Sequence, residues 1–151
     1  MAHNRLLKAE YNPETHTSVV SKSSQYGVFT HTVVCQEPDY DVENRFDGCR
    51  FAETRCDRDI SLARLKDMRS RYYGAKHMYN VLCVQSGAVF ADDSIVQEEM
   101  SRQVDNAKIA YLRAKDDYEG LKCWCKWRSD HILKVRRNLR GKADNLHEEE
   151  E

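Results

Sequence analysis

Arg128 stands where the surrounding pattern asks for an apolar side chain, so its guanidinium must find a partner or meet an anion. Around it, Met100, Val104, Ala107, Tyr111, Ala114, Tyr118, Leu121, Cys125, Arg128, Ile132, Val135 and Leu139 recur at alternating steps of four and three. Every member except Arg128 is apolar or aromatic, which is the a/d spacing of one helix wound against another. An unpaired buried guanidinium is costly. Arg128 therefore snorkels past the seam or pairs with an acid on the facing helix, or else the helices splay there and it binds an anionic ligand.

Other groups suit ligand binding by type. Arg102, Asn106 and Arg113 lie on the same helix but off its seam, where a solvated face is the simpler account of Arg102 and Arg113. Phe90 sits between small residues in an interhelical loop, with no heptad to explain it. An aromatic beside a helix N-terminus can stack a nucleobase while phosphates meet backbone N–H groups and arginine, though burial over the hairpin end also explains it. Trp124 and Trp127, three apart, are expected to bury area at a helix–helix or oligomer contact. Catalysis is not indicated: the chain has no Gly-rich phosphate loop, no G-x-S-x-G and no H-E-x-x-H. His16 and His31 read as exposed strand histidines. The six cysteines show no C-x-x-C pair, so they read as free thiols filling apolar space, with neither metal nor cofactor expected.

The elements that position these groups fall into two kinds. Residues 5–11, 17–21 and 28–34 read as three strands of an antiparallel meander, the first two joined by Asn12-Pro13-Glu14-Thr15. Three strands alone are marginal, so one face must pack on helix. A helix start is expected at Pro38-Asp39, with Val42, Phe46 and Cys49 at helical spacing and a phase change near residues 57–60. Gly48 inside this helix signals close packing against another backbone. A second heptad run follows through Leu65, Met68, Tyr72, Ala75, Tyr79 and Leu82. Residues 85–91 break it, and Asp92 or Asp93 recaps the long helix, making an αα-hairpin. The fold class is α+β: a β-meander at 1–37, a helical region at 38–146 with a coiled-coil-like hairpin, and an acidic disordered tail at 147–151, in one compact domain.

Charge and hydropathy narrow the partners. No apolar stretch is long enough to span a membrane, and no secretory signal opens the chain, which places the protein in a reducing cytoplasm. The net charge of −1 conceals a basic cluster at Lys134, Arg136, Arg137, Arg140 and Lys142. Its neighbours are heptad residues, not base-stacking aromatics, so a helix end complementing its own dipole is favoured over nucleic-acid binding. The two heptad runs, about 18 and 40 residues, cannot cover each other. The half of the long helix from Leu121 onward, with Trp124 and Trp127, would then protrude, which predicts a homo-oligomer, a dimer at least.

Three segments carry a resemblance: Lys8-Ala9-Glu10-Tyr11-Asn12-Pro13-Glu14-Thr15, then Tyr26-Gly27-Val28-Phe29-Thr30, then Phe46-Asp47-Gly48-Cys49-Arg50-Phe51-Ala52-Glu53-Thr54-Arg55. They resemble the "YNPETG" turn, the "YGxFTG" strand and the "FAGCRxAExR" helix start of a phage anti-defence family first described against Thoeris immunity. His16 stands where the pattern has Gly, and His31 replaces the Gly after Thr30. The resemblance covers roughly residues 8–55. It implies a small N-terminal sheet with two long helices, a host-cytoplasm location, and a non-catalytic sponge that sequesters cyclised ADP-ribose signals. It also implies oligomers up to a hexamer, some of which hold cyclic oligonucleotides. Phe90, Arg102, Asn106, Arg113 and Arg128 are candidate ligand contacts by residue type and position, not by alignment. The competing expectation is a structural coiled-coil phage assembly or adaptor protein with no small-molecule ligand.

Overall fold

The computed structural model of the chain describes residues 4–36, 45–85 and 93–149. Three strands, β1 (Arg5–Asn12), β2 (Thr17–Ser24) and β3 (Gly27–Val34), are followed by two helices, α1 (Arg45–Gln85) and α2 (Asp93–Glu149). The sheet is antiparallel in the order β1-β2-β3, and the two helices pack against each other. The fold is α+β, as the residue pattern predicts. The helix start expected at Pro38-Asp39 and most of the interhelical loop lie outside the described residues. The expected phase change near residue 57 is no break: α1 is one helix of 41 residues. The 57-residue α2 runs on to Glu149, so the first part of the expected disordered tail is helical.

By internal contacts the chain divides into two compact units, Met1–Ile60 with Gly120–Glu151, and Ser61–Glu119. The division crosses both helices instead of separating sheet from helices.

In the first unit the sheet is positioned by two short turns. Asn12 Oδ1 accepts the N–H of Glu14 at 2.9 Å and of Thr15 at 3.4 Å, shaping the β1–β2 turn. That turn ends at His16, which has φ 53°, and its carbonyl accepts the Cys35 N–H at 2.9 Å. The β2–β3 turn is tighter than expected: Ser24 already pairs with Gly27 across it, and Gly27 takes φ 115°. A positive φ there is natural to glycine and strained for a side chain.

One strip of α1 receives the sheet. Gly48, Ala52 and Cys56 fall four residues apart, on a single helix face. Ala52 and Cys56 are fully buried, with Val20 of β2 at 1% exposure. The Cys56 thiol donates to the carbonyls of Val20 at 3.4 Å and Phe29 at 3.5 Å. Burial raises the pKa of this thiol, so it stays protonated and keeps its donor role. Beside the strip, Lys22 reaches Glu53 at 2.9 Å and Asp57 at 2.8 Å, while His31 contacts Asp59. His31 thus faces the helix, not open solvent.

The second unit repeats the logic with rings. Ala114 is fully buried, and Tyr72 stacks on Tyr111 across the helix pair at 5.8 Å with planes 9° apart. Arg64 pairs with Asp117 at 3.5 Å. All six heptad residues of α1 from Leu65 to Leu82 are half-buried, so that register holds.

The α2 seam holds from Met100 to Ile132 and then shifts. Val135 is 43% and Leu139 60% exposed, while Arg136 and Arg140 turn inward. A straight helix drifts about 20° per heptad against a strict 3.5 repeat. Over the 39 residue-to-residue steps from Met100 to Leu139 this accumulates to about 110°, close to one residue's step. The inward positions therefore become 136 and 140 instead of 135 and 139.

Two outcomes follow from this core. A Cβ on Gly48 would collide with Ser18 Oγ and come within 3.0 Å of Ser18 Cβ. Ser18 is only 3% exposed, so its hydroxyl can rotate but its Cβ cannot retreat. Gly48→Ala should therefore lose about 1 kcal/mol in urea titration despite the better helix propensity of alanine; a stabilised variant would contradict the close approach. For Lys22, burial alone would lower the pKa, and its hydrogen bonds and charge contacts with Asp57 and Glu53 outweigh that and raise it. A raised lysine pKa means the folded state holds its proton longer than the unfolded state. The gain is complete below about pH 10 and is lost as pH climbs through the raised value. Lys22→Met should be less stable than wild type by about 1 kcal/mol at pH 8, with the gap closing toward pH 12.

Candidate functional site

The sequence-predicted ligand residues do not gather into one site within either unit. Phe90 lies outside the described residues. Arg102, Asn106 and Arg113 belong to the second unit and project from one face of α2, within about 40° of each other at 3.6 residues per turn. All three are exposed, and Arg102 is engaged by Glu99 at 2.8 Å. That is the geometry of a solvated face. Arg128 belongs to the first unit.

Arg128 has a specific local explanation. It is half-buried, its Nη1 approaches Thr54 Oγ1 at 3.4 Å, and its guanidinium lies 5.9 Å from the Trp124 ring centroid. Thr54 in turn donates to the Arg50 carbonyl at 2.7 Å. The partner on the facing helix is thus a hydroxyl and not the expected acid. Trp124, Trp127 and His131 form a stacked ladder, with centroids 5.2 Å and then 4.7 Å apart. Trp124 is 46% and Trp127 53% exposed, so they are not buried at a helix–helix contact within the chain.

The expectation that α2 protrudes uncovered beyond Leu121 is overturned. α1 starts at least as early as Arg45, twenty residues before the heptad run that begins at Leu65. Cys125 of α2 accordingly donates its thiol to the Thr54 carbonyl at 3.5 Å, and Arg136 pairs with Asp47. Burial raises the pKa of Cys125 against the opposing pull of Arg58 and Arg55. Oligomer formation therefore loses the uncovered helix as its argument and keeps only the exposed aromatic ladder.

A cavity that residue spacing does not disclose lies within the first unit. It encloses about 180 Å³ between the β1–β2 turn, the end of β3, the start of α1 and the last third of α2. Its walls are Val33, Phe51, Ile132 and Leu133, with His16, Ser18, Cys35, Gln36 and Ser129 adding polar atoms. Three charged residues complete it: Asp47, Arg55 and Arg136. Asp47 and Arg136 neutralise each other, with side chains 19% and 22% exposed. The buried Asp47 Oδ2 faces this guanidinium without a hydrogen bond of ordinary alignment. Arg55 is half-buried and, among the described residues, has no hydrogen-bond or ion-pair partner.

The arrangement can bind an anion. An unpartnered guanidinium in an apolar-walled cavity is costly until it meets a carboxylate or phosphate, which it then holds by charge-assisted hydrogen bonds. No residue was singled out here from spacing because the lining comes from positions 16–18, 33–36, 47–55 and 129–136, which only folding assembles. Two signals were present: Gly48 within a helix, and His16 where the resembling pattern carries glycine.

No family model, curated protein or solved structure matches the chain.

Replacing Arg128 separates packing from function. Its contacts, a long hydrogen bond to Thr54 and a ring at the edge of cation–π range, are weak. Arg128→Leu should leave the melting temperature unchanged or raise it, and a loss above about 1 kcal/mol would show that the guanidinium anchors the helices.

Proposed function

We propose that this is a non-catalytic binding protein that sequesters a cyclic nucleotide-type signal, glycocyclic ADP-ribose or a cyclic oligonucleotide. It would do so in the bacterial cytoplasm during phage infection. One observation carries the reading. Two residues that match the Thoeris anti-defence pattern, Gly48 and Arg55, line the cavity, together with Asp47 and Phe51 of the same segment and with His16, which stands where the pattern has glycine.

The chemistry supports a phosphate-bearing ligand. Arg55 supplies the charge, Ser18 and Ser129 offer hydroxyls, and Phe51, Val33, Ile132 and Leu133 supply apolar wall. The volume of about 180 Å³ lies below the 300–1,000 Å³ usual for whole drug-sized ligands. One arm of a cyclic dinucleotide would enter while the remainder stays outside. A guanidinium on a helix loses less conformational freedom on binding than one on a loop, as tight sequestration requires. Arg102, Asn106 and Arg113, on an exposed face of the other unit, are left as contacts only for a ligand bound there. The protein would act as a homo-oligomer, a dimer or hexamer, with the exposed Trp124 and Trp127 at the subunit contact.

Titration calorimetry tests this. Glycocyclic ADP-ribose or a cyclic oligonucleotide should bind below micromolar concentration, be recovered intact, and lose at least tenfold affinity with Arg55→Ala. If none binds, the structural reading, a coiled-coil assembly or adaptor protein, replaces it. A monodisperse monomer in light scattering would remove the oligomer.

A further inference from the structure

We propose that a second copy of this chain docks antiparallel on the C-terminal third of α2, the tryptophans of each copy seated in an open groove of the other. This rests on the homo-oligomer of the proposed function and is independent of which ligand the cavity holds. Trp124, Trp127, His131, Val135 and Leu139 follow one another along α2 at steps of three or four. At 3.6 residues per turn they share an arc of about 120°. Trp124, Trp127, Val135 and Leu139 are each between 43% and 60% exposed, so the chain's own elements leave this face open. Its two ends differ in shape. At one end stand the stacked indoles of Trp124 and Trp127. At the other lies an open groove of about 560 Å³ lined by His131, Ile132, Val135, Arg136 and Leu139.

Rings at one end of a face and a groove at the other fit a reversed copy of the same face. A copy running in the same direction would set ring on ring and groove on groove. Charge selects the same direction and fixes the register. Asp130 and Lys134 are exposed and, among the described residues, have no hydrogen-bond or ion-pair partner. With Cys123 and Gly141 they lie along one flank of the face, within about 40° of each other. Centring Trp127 of one copy between Val135 and Leu139 of the other brings Asp130 of each level with Lys134 of the other. The register that fills the groove therefore also pairs the charges, whereas parallel helices would place like beside like. Indoles desolvated in a groove, with an ion pair at the rim, are the usual anatomy of a strong contact.

Cross-linking of the full chain tests this. The same register sets the exposed Cys123 of one copy level with Gly141 of the other. A Cβ at Gly141 meets nothing within 4 Å, so Gly141→Cys keeps the fold. Within one chain the 18 residues between these positions span about 27 Å of helix, so a short bismaleimide can join them only between copies. Mass spectrometry of Gly141→Cys should find Cys123 linked to residue 141. In light scattering, Trp127→Ala should weaken association about tenfold, and Lys134→Asp about threefold. Adding Asp130→Lys to Lys134→Asp should restore wild-type association. A dimer linked through Cys123 to Cys123, one lacking the link from Cys123 to residue 141, or one unchanged by Trp127→Ala overturns this pairing and leaves the oligomer standing. So does failure of the double charge exchange to restore association. A monomer at micromolar concentration overturns the pairing and the oligomer together, while the ligand reading stands or falls by calorimetry.

Discussion

The structure of the first unit depends on how closely β2 can approach α1. Along β2, the inward residues Ser18, Val20 and Lys22 are spaced by two, or about 6.7 Å of strand. Along α1, Gly48, Ala52 and Cys56 are spaced by four, or about 6.0 Å of helix. Two nearly equal repeats run side by side, and Ser18 meets Gly48 at one end while Lys22 meets Glu53 and Asp57 farther along. Small residues on the helix let the strand settle, which is how a three-stranded sheet with few buried side chains finds a stable face. The Cys56 thiol fits the same constraint: it is fully buried and gives its hydrogen to backbone carbonyls of two strands.

Much of the architecture was legible because it rests on periodicity. The β-branched run ending at Val34, the Asn12-Pro13 turn and the heptads through Tyr72 and Tyr111 each specify their own local structure. The limits were equally physical. The beginning of α1 meets the sheet through Gly48, Ala52 and Cys56 and meets α2 through Thr54 and Asp47, so the face toward the sheet leaves no apolar stripe to read. Small residues look like weak helix when viewed alone and like a docking face only when β2 is present. At the C-terminal end of α2 the strict heptad and the helix part company. The drift between 3.5 and 3.6 residues per turn carried Arg136 inward, where it meets Asp47.

The same drift bears on the candidate site. Residues chosen for charge or ring alone, Arg102, Asn106 and Arg113, lie on a face that solvent satisfies. Arg55 looked ordinary in sequence, one cation among many in a charged helix. Its distinction arises from what surrounds it, since the neighbouring carboxylate Asp47 already serves Arg136. Pairing is a property of three-dimensional neighbours, and no spacing rule along one helix reports it.

This pairing shapes what the cavity can do. Its lining carries one carboxylate, Asp47, against two guanidiniums, Arg55 and Arg136. With Asp47 committed to Arg136, one positive charge remains beside an apolar wall, where Coulomb attraction is less screened than at the surface. The close approach at Gly48 contributes here too, because Gly48 and Ser18 both line the cavity. The contact that seats the sheet on the helix therefore also fixes the distance between the turn carrying His16 and the helix carrying Arg55. Docking and ligand space are consequences of one geometry, and a change that loosens the first alters the second.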